Sequence, residues 1–500
     1  MMAEGVPEIF RNFIDGVWTD AESGATFEDI DPATGEIVGI FPRSGPHDVL
    51  KATAAARTAL PGWKATPAPA RGEILLRAEE MLRGEKEALA RLMTREMGKV
   101  LKEARGDVQE GIDTALYQAS EGRRLFGITT PSELRDKFAM TLRMPVGVAA
   151  LITPWNFPVA IPSWKLFPAL LCGNAVVLKP ASDAPACAAR LVAILAKAGV
   201  PPGVVNLVFG TGSEAGASLA ADPEVDLISF TGSSAAGAHL AETAGRLGKK
   251  VSLEMGGKNA QIVMDDADIP LAVEGALWGA FGTTGQRCTA TSRIIVHKPV
   301  LKIFTDLFLS RVKGLRLGNG LDPKTDVGPL INAAAREKVM RYVEIGRGEG
   351  AKLLVGGSPH AEGDCARGFF FQPTVFTDGD PKMRIAREEI FGPVTLILPV
   401  DGYEQAVAVH NATRYGLSSS IYTHDVNLAF RAIRDLEAGI TYVNGATIGA
   451  EAHLPFGGVK QTGNGHREGG STVLDIFSEW KTVFVDFSGK LQKAQIDIDQ

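Results

Sequence analysis

Only four cysteines occur in this 500-residue chain, Cys172, Cys187, Cys288 and Cys365, with no CxxC pair and no framework spacing. That argues against a disulfide scaffold and points to reduced thiols in a cytoplasmic setting. No apolar run reaches the ~18 residues that a membrane-spanning helix needs. The start, MMAEGVPEIFRNFIDG, has no basic segment followed by an apolar one, so no secretory leader is expected. Lysine and arginine form no block and the net charge is −6, which argues against a nucleic-acid or anionic-membrane surface. The spacing of His453 and His466 suggests no metal site.

What is present is the composition of an ordinary soluble protein, 45% hydrophobic and 22% charged, too long for a single hydrophobic core, so two or three domains are expected. NFIDGVWTD and FEDIDPATGEIVGIFP predict short strands that turn at Asp15-Gly16 and Thr34-Gly35. From about Pro46 to Phe126 the pattern is helical. Between Val146 and Met255, apolar strands (VGVAALI, AVVLKP, VVNLVFG, VDLISFTGS, KVSLEMGG) alternate with helical segments. Such alternation implies a parallel sheet covered on both faces. A second α/β stretch runs from about Asn259 to Ala446. FAMTLRMP (138–145) and KTVFVDFSG (481–489) are strand-like pieces outside the alternation. They are expected to pair with each other or with another subunit.

Cys288 stands apart from the other thiols. Cys172 and Cys187 lie among apolar and small residues, where cysteine behaves as a small hydrophobe. Cys288 follows the Gly-rich turn FGTTGQR, beside Arg287, a setting expected to favour thiolate and leave room for an electrophilic carbon. Two glycine-rich turns follow predicted strands. One, Gly210–Gly216, is a near-match to a dinucleotide fingerprint with one residue too many, and a plain turn explains it equally well. The other, Phe230–Gly237, opens a helix whose free N–H groups suit a phosphate. Lys179, ending AVVLKP, offers a charged donor to a ribose hydroxyl or phosphate.

Together these segments resemble the NAD(P)-dependent aldehyde dehydrogenase superfamily over nearly the whole chain. The matching blocks stand in family order: TPWNFP (153–158), KPAS (179–182), FTGSSAAG (230–237), LEMGGKN (253–259), GQRCT (285–289), EEIFGPV (388–394) and PFGGVKQTG (455–463). The resemblance implies a Rossmann-like cofactor domain (1–122 and 146–256), an α/β catalytic domain (257–470) and a small β bridging element (123–145 and 471–500) that makes a homodimer or homotetramer. It implies that Cys288 attacks the aldehyde and that Asn156, with the Cys288 backbone N–H, stabilises the oxyanion. Hydride then leaves for the nicotinamide, and Glu254 activates water to hydrolyse the thioester. Glu254, in the apolar run VSLEMGG, should have its pKa raised toward neutrality. Its presence argues against acyl transfer to coenzyme A.

The same resemblance makes Lys165 and Glu479 a supporting pair for proton movement around Glu254. It assigns Glu389 and Phe391 to the nicotinamide riboside, Ser233 and Trp155 to the pyrophosphate, and Lys179 with Ser182 to the adenosine ribose. Thr153, Gly212, Phe230, Gly232 and Gly237 complete the expected cofactor groove. Many NAD-preferring members carry glutamate where this chain has Ser182, so NADP should be accepted as well as NAD. Arg287 resembles the carboxylate-binding arginine of α-aminoadipic semialdehyde dehydrogenases, and Glu110 falls where that group faces the substrate amino group. Trp164 replaces the carboxylate-binding arginine of succinic semialdehyde dehydrogenases. The expected activity is oxidation of a carboxylate-bearing semialdehyde, with broad turnover of neutral aldehydes as one alternative and a non-catalytic binding protein as another.

Overall fold

The computed structural model describes residues 7–491; the start and the tail beyond Leu491, including those parts of the expected domain ranges, lie outside it. Two seven-stranded sheets dominate. The first has the strand order Lys250–Glu254, Leu227–Thr231, Val148–Ile152, Ala175–Lys179, Val205–Leu207, Asn12–Ile14 and Val17–Thr19. The first five of these strands are parallel, and the N-terminal hairpin adds antiparallel to Val205–Leu207. Val148–Ile152 and Ala175–Lys179 are buried at every position, as runs without polar alternation require when helices cover both faces. The hairpin turns at Asp15 and Gly16, both in the left-handed region that a two-residue turn of this hand demands.

Three helices, Pro46–Ala65, Ala68–Met97 and Leu101–Glu121, fill the predicted helical stretch. The last two pack with Ala160–Cys172 and Ala186–Ala198 around Leu75, Leu82, Met93, Val108, Ile112, Phe167 and Leu191. Ala160–Cys172 is buried along its whole length and stops at Gly173, whose φ of 94° closes the helix as only glycine does cheaply.

The second sheet runs Lys352–Val355, Thr374–Thr377, Val394–Val400, Thr291–His297, Asn259–Val263, Ser418–Tyr422 and Ile440–Val443, parallel except at its first pair. Lys137–Pro145 pairs antiparallel with Ser478–Asp486 over nine residues, joining the two outlying strand-like pieces to each other. That ribbon exposes Phe138, Leu142, Trp480 and Phe484. Among the described residues no helix is long and apolar enough to cross a membrane.

Candidate active site

In the first sheet the chain order reverses between Val148–Ile152 and Leu227–Thr231, and ligands of such sheets bind beyond the strand ends at this switch point. The carboxyl ends of these strands and their neighbours deliver Thr153–Asn156, Lys179, Phe230–Ser233 and Glu254 to one edge. The glycine-rich loop that carries Cys288 comes from the second sheet's side, just before strand Thr291–His297.

That loop is strained. Thr283 and Thr284 adopt φ values of 49° and 58°, where a β-branched side chain is rarely found. Glu103 holds the distortion by accepting the Thr283 amide N–H and hydroxyl, at 2.9 and 3.1 Å on Oε2. Gln286 next anchors the loop: its Oε1 accepts the Ile331 amide N–H at 2.9 Å, and its carbonyl receives Asn156 Nδ2 at 3.1 Å. Asn259 Nδ2 donates to the carbonyls of Cys288 (2.7 Å) and Ala290 (3.0 Å). The Asn156 amide is thereby fixed two residues from the nucleophile, with a second N–H to spare for an oxyanion.

The Cys288 thiol is pushed up to about 12 by burial, then by the Glu389 and Glu254 carboxyls, and Arg287 opposes them only weakly. Arg287 does pull toward thiolate, as expected, but burial and the two carboxyls outweigh it, so the setting as a whole does not favour thiolate. Arg287 spends its Nε on Thr283 Oγ1 (2.9 Å) and its Nη2 on Glu103 Oε1 (3.2 Å), so its charge is largely neutralised before it reaches the sulfur.

Glu254 ends its strand buried, and neither carboxyl oxygen has a hydrogen-bond partner among the described residues. Burial, reinforced by Glu468, raises its pKa well above the ordinary carboxylate range, against the pull of Lys165. A β-carbon on Gly457 would stand 2.5 Å from Glu254 Oε1, so only glycine leaves the carboxyl its place. Lys165 Nζ pairs with Glu468, both essentially fully buried, and also donates to Ser229 Oγ at 3.0 Å. Glu479 is not that partner: it lies opposite Met144 at an exposed position of the outlying ribbon. The polar block NGHREGG carried the buried acid, and nothing in its local pattern separated Glu468 from a solvated glutamate.

Around Cys288 the aldehyde side is apolar: Ile161, Trp164, Leu417 and Phe456 form the wall, with Phe157 against it. Trp164 packs on Phe456 at 4.7 Å, and its indole Nε1 is buried without a partner among the described residues. Arg287 stacks near Phe157 and Trp278, at 5.3 and 5.8 Å from the ring centres. Glu110 lies within electrostatic reach of Arg287.

A model of the aldehyde dehydrogenase family matches residues 18–483. The chain belongs to that family. It is 43% identical over 477 residues (95% of this chain, 98% of the relative) to α-ketoglutarate semialdehyde dehydrogenase of Haloferax volcanii. It is 40% identical over 477 residues, with the same coverage, to the α-ketoglutaric semialdehyde dehydrogenase of Bacillus subtilis. Identity is again 40% over 471 residues (94% and 96%) with the 3-sulfolactaldehyde dehydrogenase of Pseudomonas putida. Among solved structures, betaine aldehyde dehydrogenase from Staphylococcus aureus in complex with NAD+ superposes with a TM-score of 0.94 at 35% identity, covering 96% of this chain and 95% of the other.

The protein is thus an NAD(P)-dependent oxidoreductase acting on aldehydes, with the Rossmann-like and catalytic sheets of its family. Its own groove fits the dinucleotide. Thr153 Oγ1, Thr231 Oγ1 and Ser234 Oγ are buried with no partner among the described residues. Ser233 caps the 14-residue helix Ser234–Leu247, accepting the Ala236 N–H, and leaves that helix's other first-turn amides for a phosphate. Lys179 is buried with only Asp183 to attract it, and burial lowers its pKa to about 8. Phe230 packs beneath Gly232, and Met255 beneath Gly237, keeping that floor flat. Trp155 meets Phe391 edge-on at 5.5 Å, and Glu389 Oε1 accepts the Gly257 N–H at 3.0 Å. Gly212 opens a tight turn capped by Thr211, over which Arg43 and Glu214 form an exposed ion pair. A dinucleotide bound there would supply the hydride acceptor, with Cys288 placed to give the thiol, Asn156 an oxyanion donor and Glu254 the carboxyl for water.

Proposed function

We propose that the natural substrate is a short aldehyde carrying an anionic group, of the α-ketoglutaric semialdehyde kind, oxidised to the acid through a Cys288 thiohemiacetal and thioester. The observation that carries this reading is Arg287, adjacent to the nucleophile at the apolar wall, whose Nη1 makes no hydrogen bond to a described residue. Relatives at 40–43% identity support it, because their named substrates share an aldehyde and an acid group. Asn156 serves as oxyanion donor and Glu254 as base for the deacylating water, with Lys165 and Glu468 beside it. Ser182 next to Lys179 leaves room for a 2′-phosphate, so NADP+ serves alongside NAD+, and Ser182→Glu should favour NAD+. We further propose that the two large sheets mark the cofactor and catalytic domains. The apolar ribbon 137–145/478–486 then bridges subunits of a cytoplasmic homo-oligomer.

The test is nicotinamide reduction with α-ketoglutaric, aminoadipic, glutaric and succinic semialdehydes beside neutral aldehydes of matched length, each with NAD+ and NADP+. A higher kcat/KM for the acid semialdehydes, lost in Arg287→Leu, is expected. Equal values for neutral aldehydes would reduce Arg287 to a structural role.

A further inference from the structure

We propose that Lys99 is a positioning residue for the oxyanion step: its ammonium, held by Asp107, clamps the ring of Phe157 and so fixes Asn156, the residue before it, against the catalytic loop. This rests on the reading of Asn156 as oxyanion donor given above, and adds what holds that donor still.

Asn156 reaches the catalytic loop through one side-chain hydrogen bond, from Nδ2 to the Gln286 carbonyl at 3.1 Å. A single bond leaves an amide free to pivot, whereas an oxyanion donor must be aimed before the charge develops. The restraint comes from the next residue. Phe157 packs against the wall of Ile161, Trp164, Leu417 and Phe456. Two cations lie over its ring, Lys99 Nζ at 3.8 Å from the centre and the Arg287 guanidinium at 5.3 Å. The ring's quadrupole attracts a cation most strongly where water is excluded, and the Lys99 side chain is fully buried. Lys99 Nζ also donates to Asp107 Oδ2 at 2.7 Å, and Asp107 is equally buried. The other oxygen of Asp107 accepts the Ala160 N–H at 2.7 Å. Ala160 opens the helix that runs to Cys172, whose own N-cap residue, Val159, has no side chain able to cap it. The ion pair therefore holds Phe157 and Ala160 together, and with them the segment that follows Asn156.

The root of Lys99 stands on the same support as Gln286. Gly98, with φ of 85°, turns the chain between helices Ala68–Met97 and Leu101–Glu121, and a β-carbon there would stand 2.6 Å from Pro329 Cγ. The carbonyls of Gly328 and Pro329 in turn accept Thr284 Oγ1 at 3.0 Å and Gln286 Nε2 at 3.3 Å. A closed circuit results: Lys99 to Phe157, Asn156, Gln286, Pro329 and back through Gly98. If Phe157 shifts, Asn156 shifts with it, and a misplacement of about 1 Å at a reacting centre costs on the order of 10²-fold in rate. Arg287 does not replace Lys99 here, because it lies farther from the ring and is paired with Glu103 at 3.2 Å.

The experiment is single-turnover oxidation of α-ketoglutaric semialdehyde, and in parallel of propanal, with saturating enzyme and NAD+, followed by the fluorescence of reduced nicotinamide. Both aldehydes pass through the same oxyanion, and the rate constant at saturating enzyme does not depend on how much of a preparation is folded. Lys99→Met should lower that constant about 10–10²-fold and leave KM for NAD+ unchanged. Lys99→Arg, which keeps a cation for Asp107 and for the ring, should restore most of it. Phe157→Leu removes the aromatic face but leaves the ion pair, so it should lose as much as Lys99→Met, and it serves where Lys99→Met does not fold. The deciding arm repeats both losses in Asn156→Ala. There they should cost nothing further, because they act through the amide already removed. A side chain that only supports the fold would lower the rate by the same factor in both backgrounds. That result, or an unchanged rate constant in Lys99→Met or Phe157→Leu, overturns the proposal. An Asn156→Ala enzyme with an intact rate constant overturns the reading beneath it instead.

Discussion

Glu103 accepts both the amide N–H and the hydroxyl of Thr283, from a helix 180 residues earlier in the chain. The contact pins a left-handed threonine at the entrance to the catalytic loop, and the same carboxylate neutralises Arg287. Removing it in Glu103→Ala releases the strained turn and leaves a largely buried guanidinium without its carboxylate. The expected cost is about 1–3 kcal/mol of stability. Because the loop also carries the Gln286 carbonyl that orients Asn156, kcat should fall with it. Thermal unfolding followed by circular dichroism, together with kcat at saturating cofactor, checks both; an unchanged melting temperature and kcat would remove Glu103 from this role.

Lys165 and Glu468 make a pair buried from water on both sides, whereas Glu479 lies on an exposed strand. Glu468→Leu strands a lysine in the interior, at a cost of about 3–5 kcal/mol. It also removes the acid that helps to raise Glu254, so the pH at which turnover rises should move down. Glu479→Ala should stay within about 0.5 kcal/mol of the parent, as exposed substitutions do. Equal effects of the two substitutions on stability and on the pH profile would contradict the assignment.

The contrast shows where sequence reading was strong and where it stopped. Apolar runs without alternation, such as VGVAALI and AVVLKP, can be covered only on both faces, and both became fully buried parallel strands. Asp15-Gly16 announced its hairpin turn. The outlying pieces 138–145 and 481–489 were legible as strands and pair with each other. The site's acid partners were not legible. Whether an acid pairs depends on which cations tertiary packing brings near. Glu468 and Glu103 look like surface glutamates in NGHREGG and LKEARGD, and only the fold sets them against Lys165 and Arg287. Asn259 stands in the block LEMGGKN, yet its clamp on Cys288 and Ala290 needs two strands in register.

The Cys288 thiol at about 12 makes a direct prediction for the cofactor-free enzyme. Only thiolate is alkylated, so the rate of iodoacetamide labelling at Cys288 should keep climbing with pH and show no plateau below about pH 10. Labelling is followed by mass spectrometry, with Cys288→Ala as the blank. Glu389→Gln removes the larger of the two opposing carboxyls and should speed labelling at a given pH. A plateau near neutrality would mean that the loop stabilises thiolate after all, and that the Arg287 charge reaches the sulfur despite Glu103.

Glu254 gives the pH dependence of turnover its sign. Its carboxyl is raised well above the ordinary range by burial and by Glu468, so below that value it holds a proton and cannot accept one from water. Where thioester hydrolysis limits turnover, kcat should rise as pH passes through the raised value, and stay low at the acidic end where an ordinary glutamate would already be ionised. Glu254→Gln keeps the shape against Gly457 but accepts no proton, so its kcat should lie about 10²–10⁴-fold lower and lose that rise. Stopped-flow measurement with saturating aldehyde and cofactor separates the steps. A burst of reduced nicotinamide followed by very slow turnover in Glu254→Gln would assign the residue to hydrolysis. Loss of the burst as well would mean that the same carboxyl also draws the proton from the Cys288 thiol.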